Sequence, residues 1–457
     1  MYSNHHMRTK VDALFAVVDR LPASKSIKLG HDKELLDDAL RSRMKQPPVN
    51  ETGFEGLAYT TLPLSDSIPT ISPPTDDQPA ISFYASRTSS HAKRDSGYSL
   101  RLPLANTVFQ TGSPSTMVYS SWEMEQGATH FALKSARHVT HHGIKIHSNP
   151  SATRRTSALA IPLVPLTVPR QVEASMGNIL RRVTGPDGKS ALASQELEQV
   201  VPQFYSARRE PSQATMAWAL IMSKKLLPPI MSATKDMLGL PADGAPGLEA
   251  DLWEKLWKQN PAVWNELVPN AIAAGARLHR VLSGGGGWGK KAGLLSLDPV
   301  ATTPEKSSSE DDIFNLASAL KHVARDGEFI QFFVSPADST HDAADQSKLL
   351  INEIYSKPRW SLELGTIPST VDALSAGSWQ HNPGKSERPL VLRQSFGALT
   401  EGGITISRYF KPNSSEQPVL LAGASKVDVP FSRFSAVSFV SKKDVSEEDV
   451  CGLDEKE

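Results

Sequence analysis

The residue types with the most chemical potential lie together in one stretch. It runs Ser283-Gly284-Gly285-Gly286-Gly287-Trp288-Gly289-Lys290-Lys291-Ala292-Gly293 and continues through Leu294-Leu295-Ser296-Leu297-Asp298 to Pro299. Glycine N–H groups aimed at one point, with lysine ammonium groups beside them, make an anion site. Gly284 to Lys290 satisfies the GxxxxGK half of a phosphate-binding loop. Two features oppose the full motif: Lys291 stands where a Ser or Thr hydroxyl would hold magnesium, and the preceding Ala271 to Leu282 reads as helix instead of the required strand. A GxGxxG match at Gly284, Gly286 and Gly289 is one that any glycine run produces.

Two readings of the stretch stay open. In the first, Gly284, Gly285, Gly286, Gly287 and Gly289 with Lys290 and Lys291 bind a phosphate or a nucleic-acid backbone, and Trp288 anchors an interface. In the second, which the composition favours, the glycines let a helix end exit in positive φ, Trp288 plugs a core and the lysines stay in water.

Other constellations are thinner. His130, His138, His141, His142 and His147 offer imidazole nitrogens, but without HExxH spacing or nearby cysteine they predict surface histidines and no metal site. There is no GxSxG elbow, and the only cysteine, Cys451, lies among carboxylates that would raise its pKa. No catalytic residue and no cofactor is assigned. Basic pairs at Arg154-Arg155, Arg181-Arg182, Arg208-Arg209 and Lys224-Lys225 lie near Trp218, Trp253, Trp257 and Trp264 in the chain, a combination that RNA-binding surfaces use. Helix-end cations and core tryptophans account for it equally well.

Composition bounds the partners and the address. The chain of 457 residues carries 49 Lys plus Arg against 49 Asp plus Glu, so any polyanion contact must be local. One cysteine excludes an intramolecular disulfide and points to a reducing compartment. No apolar h-region or membrane-length apolar run is present, so the expected protein is soluble, intracellular and not secreted, in cytoplasm or mitochondrion.

The elements that must position these residues read as follows. Residues 1–45 hold an apolar strand-like run from Val11 to Leu21 and a helix over 32–45, and 46–96 is a Pro-, Ser- and Thr-rich loop with a short strand at 81–85. Residues 97–170 are β-rich, with short runs at Tyr98 to Leu102, Asn106 to Gln110 and Thr116 to Trp122. The 171–299 region reads as helical: Gln171 to Val183, Ser194 to Ala207, Ser212 to Leu227, 229–238, Leu248 to Trp257 and Asn260 to Leu282, ending in the glycine loop. A mixed α/β segment, 300–441, holds a helix from Ser309 to Gly327 and a β-α-β unit made of Glu328 to Val334, 343–356 and Trp360 to Leu364. Strands follow at Gly403 to Phe410, Val419 to Ala422 and Phe434 to Val440, and 442–457 is a charged tail. The expected fold is α+β, with β-rich N-terminal and C-terminal parts around a helical middle.

Leu102-Pro103-Leu104-Ala105-Asn106-Thr107-Val108-Phe109-Gln110-Thr111-Gly112, Met176-Gly177-Asn178-Ile179 and the Val281 to Pro299 block resemble a family of filamentous-fungal proteins of undefined function, over the core from 97 to 300. The resemblance implies a fungal, nuclear-encoded origin and carries no catalytic residue or cofactor. The functional expectation is a non-enzymatic binding or assembly protein with protein or ribonucleoprotein partners. The alternative is a phosphoester-ligand or nucleotide-binding enzyme using Gly284 to Lys291.

Overall fold

The computed structural model describes residues 9–22, 53–62, 64, 67–69, 78–87, 95–125, 128–146, 153–240, 250–258, 267–284, 293–299, 323–335, 358–369, 390–393, 395–411 and 419–440. The helices expected over 32–45 and 343–356, most of that expected from Ser309, the 442–457 tail and Gly285 to Ala292 lie outside the described residues. What is described is a mixture of strands and helices, an α+β fold.

Its centre is a sheet that closes on itself. Arg170–Met176, Ile179–Thr184, Leu295–Leu297, Arg277–Gly284, Ala217–Met222 and Phe329–Val334 pair antiparallel in that order. Phe329–Val334 also pairs with Arg170–Met176, which completes the ring. Val164–Pro165 and Ser190–Leu192 attach to it. Ala217–Met222 and its neighbour Phe329–Val334 are apolar at almost every position because both faces are covered. Trp218, Leu220, Met222 and Phe333 enter one core, shared with the outer sheets, while Ala219, Ile221, Ile330 and Phe332 enter a second. The helices Gln195–Arg208 and Ala250–Trp257 close that second core with Phe204, Tyr205, Trp253 and Trp257. Each such large side chain taken fully out of water contributes about 1.5–3 kcal/mol before entropy is counted.

Outside the ring, a six-stranded sheet runs Val419–Val427, Ile404–Lys411, Asp95–Pro103, Ala80–Arg87, His141–Ile146, Ser67–Pro69. A four-stranded sheet runs Ser395–Thr400, Pro358–Thr366, Arg433–Val440, Thr153–Ala160, and Leu390–Arg393 pairs with Gly56–Tyr59. The last sheet has three strands, Thr9–Ala16, Met117–Met124 and Ala132–His138. Segments far apart in the chain interlock, as Asp95–Pro103 with Ile404–Lys411 shows.

The helical middle needs correction. Gln195–Arg208, Leu227–Leu238 and Ala250–Trp257 are helices as expected, but Gln171 to Val183 is a hairpin and Ser212 to Leu227 contains the strand Ala217–Met222. Met176-Gly177-Asn178-Ile179 makes the hairpin's two-residue turn, with Gly177 at φ +59 and Met176 opposite Ile179. Of the helix expected from Asn260 to Leu282, residues 260–266 lie outside the described residues, Leu267–Ala274 is helical, and the chain then turns into the strand Arg277–Gly284. The expected strand at Asn106 to Gln110 is instead a tight loop with one helical turn, Val108–Thr111. There the Asn106 side-chain oxygen accepts from Val108 N at 3.0 Å, a local bond that competes with strand pairing. Nor is there a β-α-β unit, since Phe329–Val334 and Pro358–Thr366 belong to different sheets. The described part of 46–96 holds Gly56–Tyr59, Ser67–Pro69, Ala80–Arg87 and the start of Asp95–Pro103 where one strand was expected.

Candidate docking face

The glycine stretch is flanked by two strands that pair with each other. Gly284 ends the strand Arg277–Gly284, and beyond residues 285–292 the chain returns antiparallel as Leu295–Leu297, with Gly284 opposite Leu295. The element before the loop is therefore a strand and not the expected helix. The element after it is also a strand, whereas a phosphate-binding loop must open a helix. Gly285, Gly286, Gly287, Trp288, Gly289, Lys290 and Lys291 lie outside the described residues. At the flanks the glycines have structural reasons. A Cβ on Gly284 would stand 2.1 Å from Leu295 Cδ2, and Gly293, at φ +77, packs where a Cβ would meet Leu192 Cβ at 2.7 Å.

Polar groups are buried beside these two strands. His279 is 4% exposed; its Nδ1 lies 2.9 Å from the Asp298 carbonyl oxygen, which can only accept, so Nδ1 carries the proton. Burial, partly opposed by that hydrogen bond, pushes its pKa down to about 4. On the outer-sheet side, the Trp218 indole N–H donates to Asp428 Oδ1 at 2.7 Å, and the Lys426 ammonium lies 3.8 Å from Asp298 Oδ2. Burial raises the Asp428 carboxyl against the pull of the indole, Lys426 and Arg280. These groups tie the strand Arg277–Gly284 to Val419–Val427 and its continuation; Ser425 Oγ adds bonds to Leu278 N and Ala276 O.

Of the basic pairs, Arg208 and Arg182 are engaged within the protein. Arg208 is bound to Glu210 at 2.6 Å, donates to the Trp257 carbonyl and lies 5.7 Å from the Phe204 ring. Arg182 donates to Ser190 Oγ at 2.7 Å. Trp218, Trp253 and Trp257 are core residues with no face for a base to stack on. Among the described residues no group of three or more His, Cys, Asp or Glu converges in a way that could hold a metal. No helix among them is long and apolar enough to cross a membrane.

The three-stranded sheet has a different character. Leu14 and Ala16 turn inward against the first core, so Val11 and Phe15 turn outward, 43% and 53% exposed. The register sets Val11 opposite Trp122 and Phe15 opposite Val118, then Trp122 opposite Leu133, which is 51% exposed. An apolar row thus crosses the outer face of all three strands, and Phe131 extends it. Every residue of Ala132–His138 is exposed, and the strand ends the sheet. Next to the start of Met117–Met124, Phe109 stands 96% exposed on the tight loop. That loop is held by hydroxyl bonds: Thr107 Oγ1 to the Ser113 carbonyl at 3.0 Å and to Thr116 Oγ1 at 2.9 Å, and Thr111 Oγ1 to the Thr107 carbonyl at 3.1 Å. A rigidly held exposed aromatic loses little entropy when a partner covers it.

On the inner face of the same sheet, beside Leu14, Ala16 and Met117, polar groups are tied down. The Arg137 guanidinium lies 5.4 Å from the Tyr119 ring, which stacks on His142 at 5.7 Å, and His142 Nε2 is 2.8 Å from Ser67 Oγ. Burial and Arg137 lower the His142 pKa. Partial burial would raise the Asp12 carboxyl, but hydrogen bonds from Ser121 and Tyr119 and the Lys10 ammonium at 3.6 Å outweigh it and hold the carboxyl low. These contacts fix the sheet to the body and leave the apolar row outside. Of the expected site residues only Gly284 is described, and it is structural; the exposed row escaped the sequence because exposure is set by tertiary register. Comparison of the chain with protein-family models, curated proteins and solved structures finds no match in any of the three.

Proposed function

We propose that the protein is a non-enzymatic binding or assembly component that engages a partner polypeptide through the three-stranded sheet. The observation that carries this is the row Val11, Trp122 and Leu133, with Phe15 and Val118 further along the same outer face, on a sheet fixed to the body by its inner face. Apolar side chains arranged contiguously across a rigid face, with an aromatic anchor nearby, are what a protein interface uses at its centre. A ribonucleoprotein partner fits the same reading if its protein component supplies the contact, and the place of action is cytoplasm or mitochondrion.

The test is site-specific photo-cross-linking in cells of origin. A photoreactive side chain at Phe15 or Leu133 should yield discrete adducts with the same polypeptide, and one at exposed Lys189, in the turn between Ile179–Thr184 and Ser190–Leu192, should not. Equal labelling from all three positions would overturn the proposal. The nucleotide-binding alternative makes the opposite claim about another surface: ATP or GTP would raise the melting temperature, and Lys290→Ala would abolish the rise.

A further inference from the structure

Resting on that docking reading, we infer that the edge Ala132–His138 takes up an extended acidic segment of a partner polypeptide as a fourth strand of the sheet. Among the described residues the strand pairs on one side only, with Met117–Met124. Val139 N donates to the Met117 carbonyl at 3.0 Å, and this sets the alternation along the ladder. Arg137 and Ser135, opposite Tyr119 and Ser121, exchange bonds with the central strand; Ala136 and His138 direct their N–H and C=O groups outward. An outward row of this kind is the template for strand addition.

Charge selects the occupant. The edge carries Lys134, Arg137 and His138, His130 precedes it, and no Asp or Glu occurs from Gln126 to His147. A second copy of the same edge would set Lys134 and Arg137 against their own copies, and like charges on facing strands are destabilising. The break in register between Ser121↔Ser135 and Trp122↔Leu133 leaves Lys134 as an extra residue, a bulge with a lysine, which further blunts self-pairing. An acidic strand relieves that repulsion. Exposed Leu133 and Phe131 call for apolar side chains next to the acids, so the fitting segment alternates Glu or Asp with apolar residues.

The probe is a fluorescein-labelled peptide of alternating Glu and Val, about eight residues long to match the edge. With the full chain, fluorescence anisotropy should show saturable binding that weakens with added salt. Ala136→Pro removes one outward donor at an edge position where proline is tolerated, and should weaken binding about tenfold or more. Should that variant fail to fold, the same peptide N-methylated at alternate amides tests the backbone bonds on the unchanged protein, and should bind as weakly. Lys134→Glu, at the exposed bulge, should act in the same direction. No binding, equal binding of the methylated peptide, equal binding of a Lys and Val peptide, or displacement of the peptide by a lower concentration of poly-uridylate would each overturn strand addition. If peptide binding fails while adducts at Phe15 and Leu133 persist, only strand addition is lost; if the adducts fail too, the docking reading falls with it.

Discussion

The closed sheet and the three-stranded sheet are built from similar antiparallel strands and treat their surfaces in opposite ways. In the ring, Ala217–Met222 is buried at all six positions and hydrogen-bonded on both sides, by Arg277–Gly284 and by Phe329–Val334. In the small sheet, Ala132–His138 is exposed at all seven and bonded on one side. Closure places the apolar surface where it contributes stability. Leaving an edge and a face uncovered forgoes that contribution, and the uncovered surface is available to a partner.

The contrast can be broken most sharply by cavity formation. Phe332→Ala in the ring should cost about 3–5 kcal/mol in guanidinium unfolding, whereas Phe15→Ala on the outer row should cost less than about 0.5 kcal/mol. Equal losses would mean that the small sheet is as much a part of the core as the ring.

Next in size are the buried charges that brace the ring. Arg170 grips Glu196 with bonds of 2.6 to 3.2 Å, both side chains nearly out of water, so Arg170→Ala should destabilise by about 3 kcal/mol by leaving Glu196 unpaired. A change below about 1 kcal/mol would show the pair to be solvated.

A pH dependence of comparable order follows from His279. Its pKa is lowered from 6.5 to about 4, so the unfolded chain binds the extra proton first as pH falls. The stability gained from keeping this imidazole neutral is fully present above about 6.5 and is lost as pH drops toward about 4, on the order of 3 kcal/mol in all. Asp428, raised by burial, works in the opposite sense, because folding favours its protonated form; Asp428→Asn should therefore steepen the acid loss. Urea titrations between pH 7 and pH 4 check both signs. Smaller again, Gly293→Ala forces a side chain into positive φ against Leu192 and should cost about 1–3 kcal/mol by the same assay.

Much of the architecture was legible in the sequence where a single physical signal acted. Gln195–Arg208 shows acids in its first turn and an arginine in its last, and Ala250–Trp257 puts Trp253, Leu256 and Trp257 into one core. Ala80–Arg87, Met117–Met124 and Phe329–Val334 show the expected β-prone runs. Ala217–Met222 misled because a strand buried on both faces loses its alternation and cannot be told from a helix by periodicity. Gln171 to Val183 misled in another way: Gly177-Asn178 and Pro186-Asp187-Gly188 are turn signals, and Gly185 opens the second turn, accepting from Gly188 N at 3.0 Å. The candidate site was less legible. Glycine composition marks the segment between two paired strands, while the exposed row depends on which strand pairs with which, through contacts as distant as Val11 and Trp122.

Amide hydrogen exchange on the full chain, with and without the Glu and Val peptide, tests the central claim most directly. The outward N–H groups of Ala136 and His138 should exchange quickly in the free protein and slow markedly when peptide is bound, with protection confined to Ala132–His138 and its neighbours and the slow amides of Ala217–Met222 unchanged. Protection that appears on the ring or the helices instead, or none at all at saturating peptide, would contradict the account.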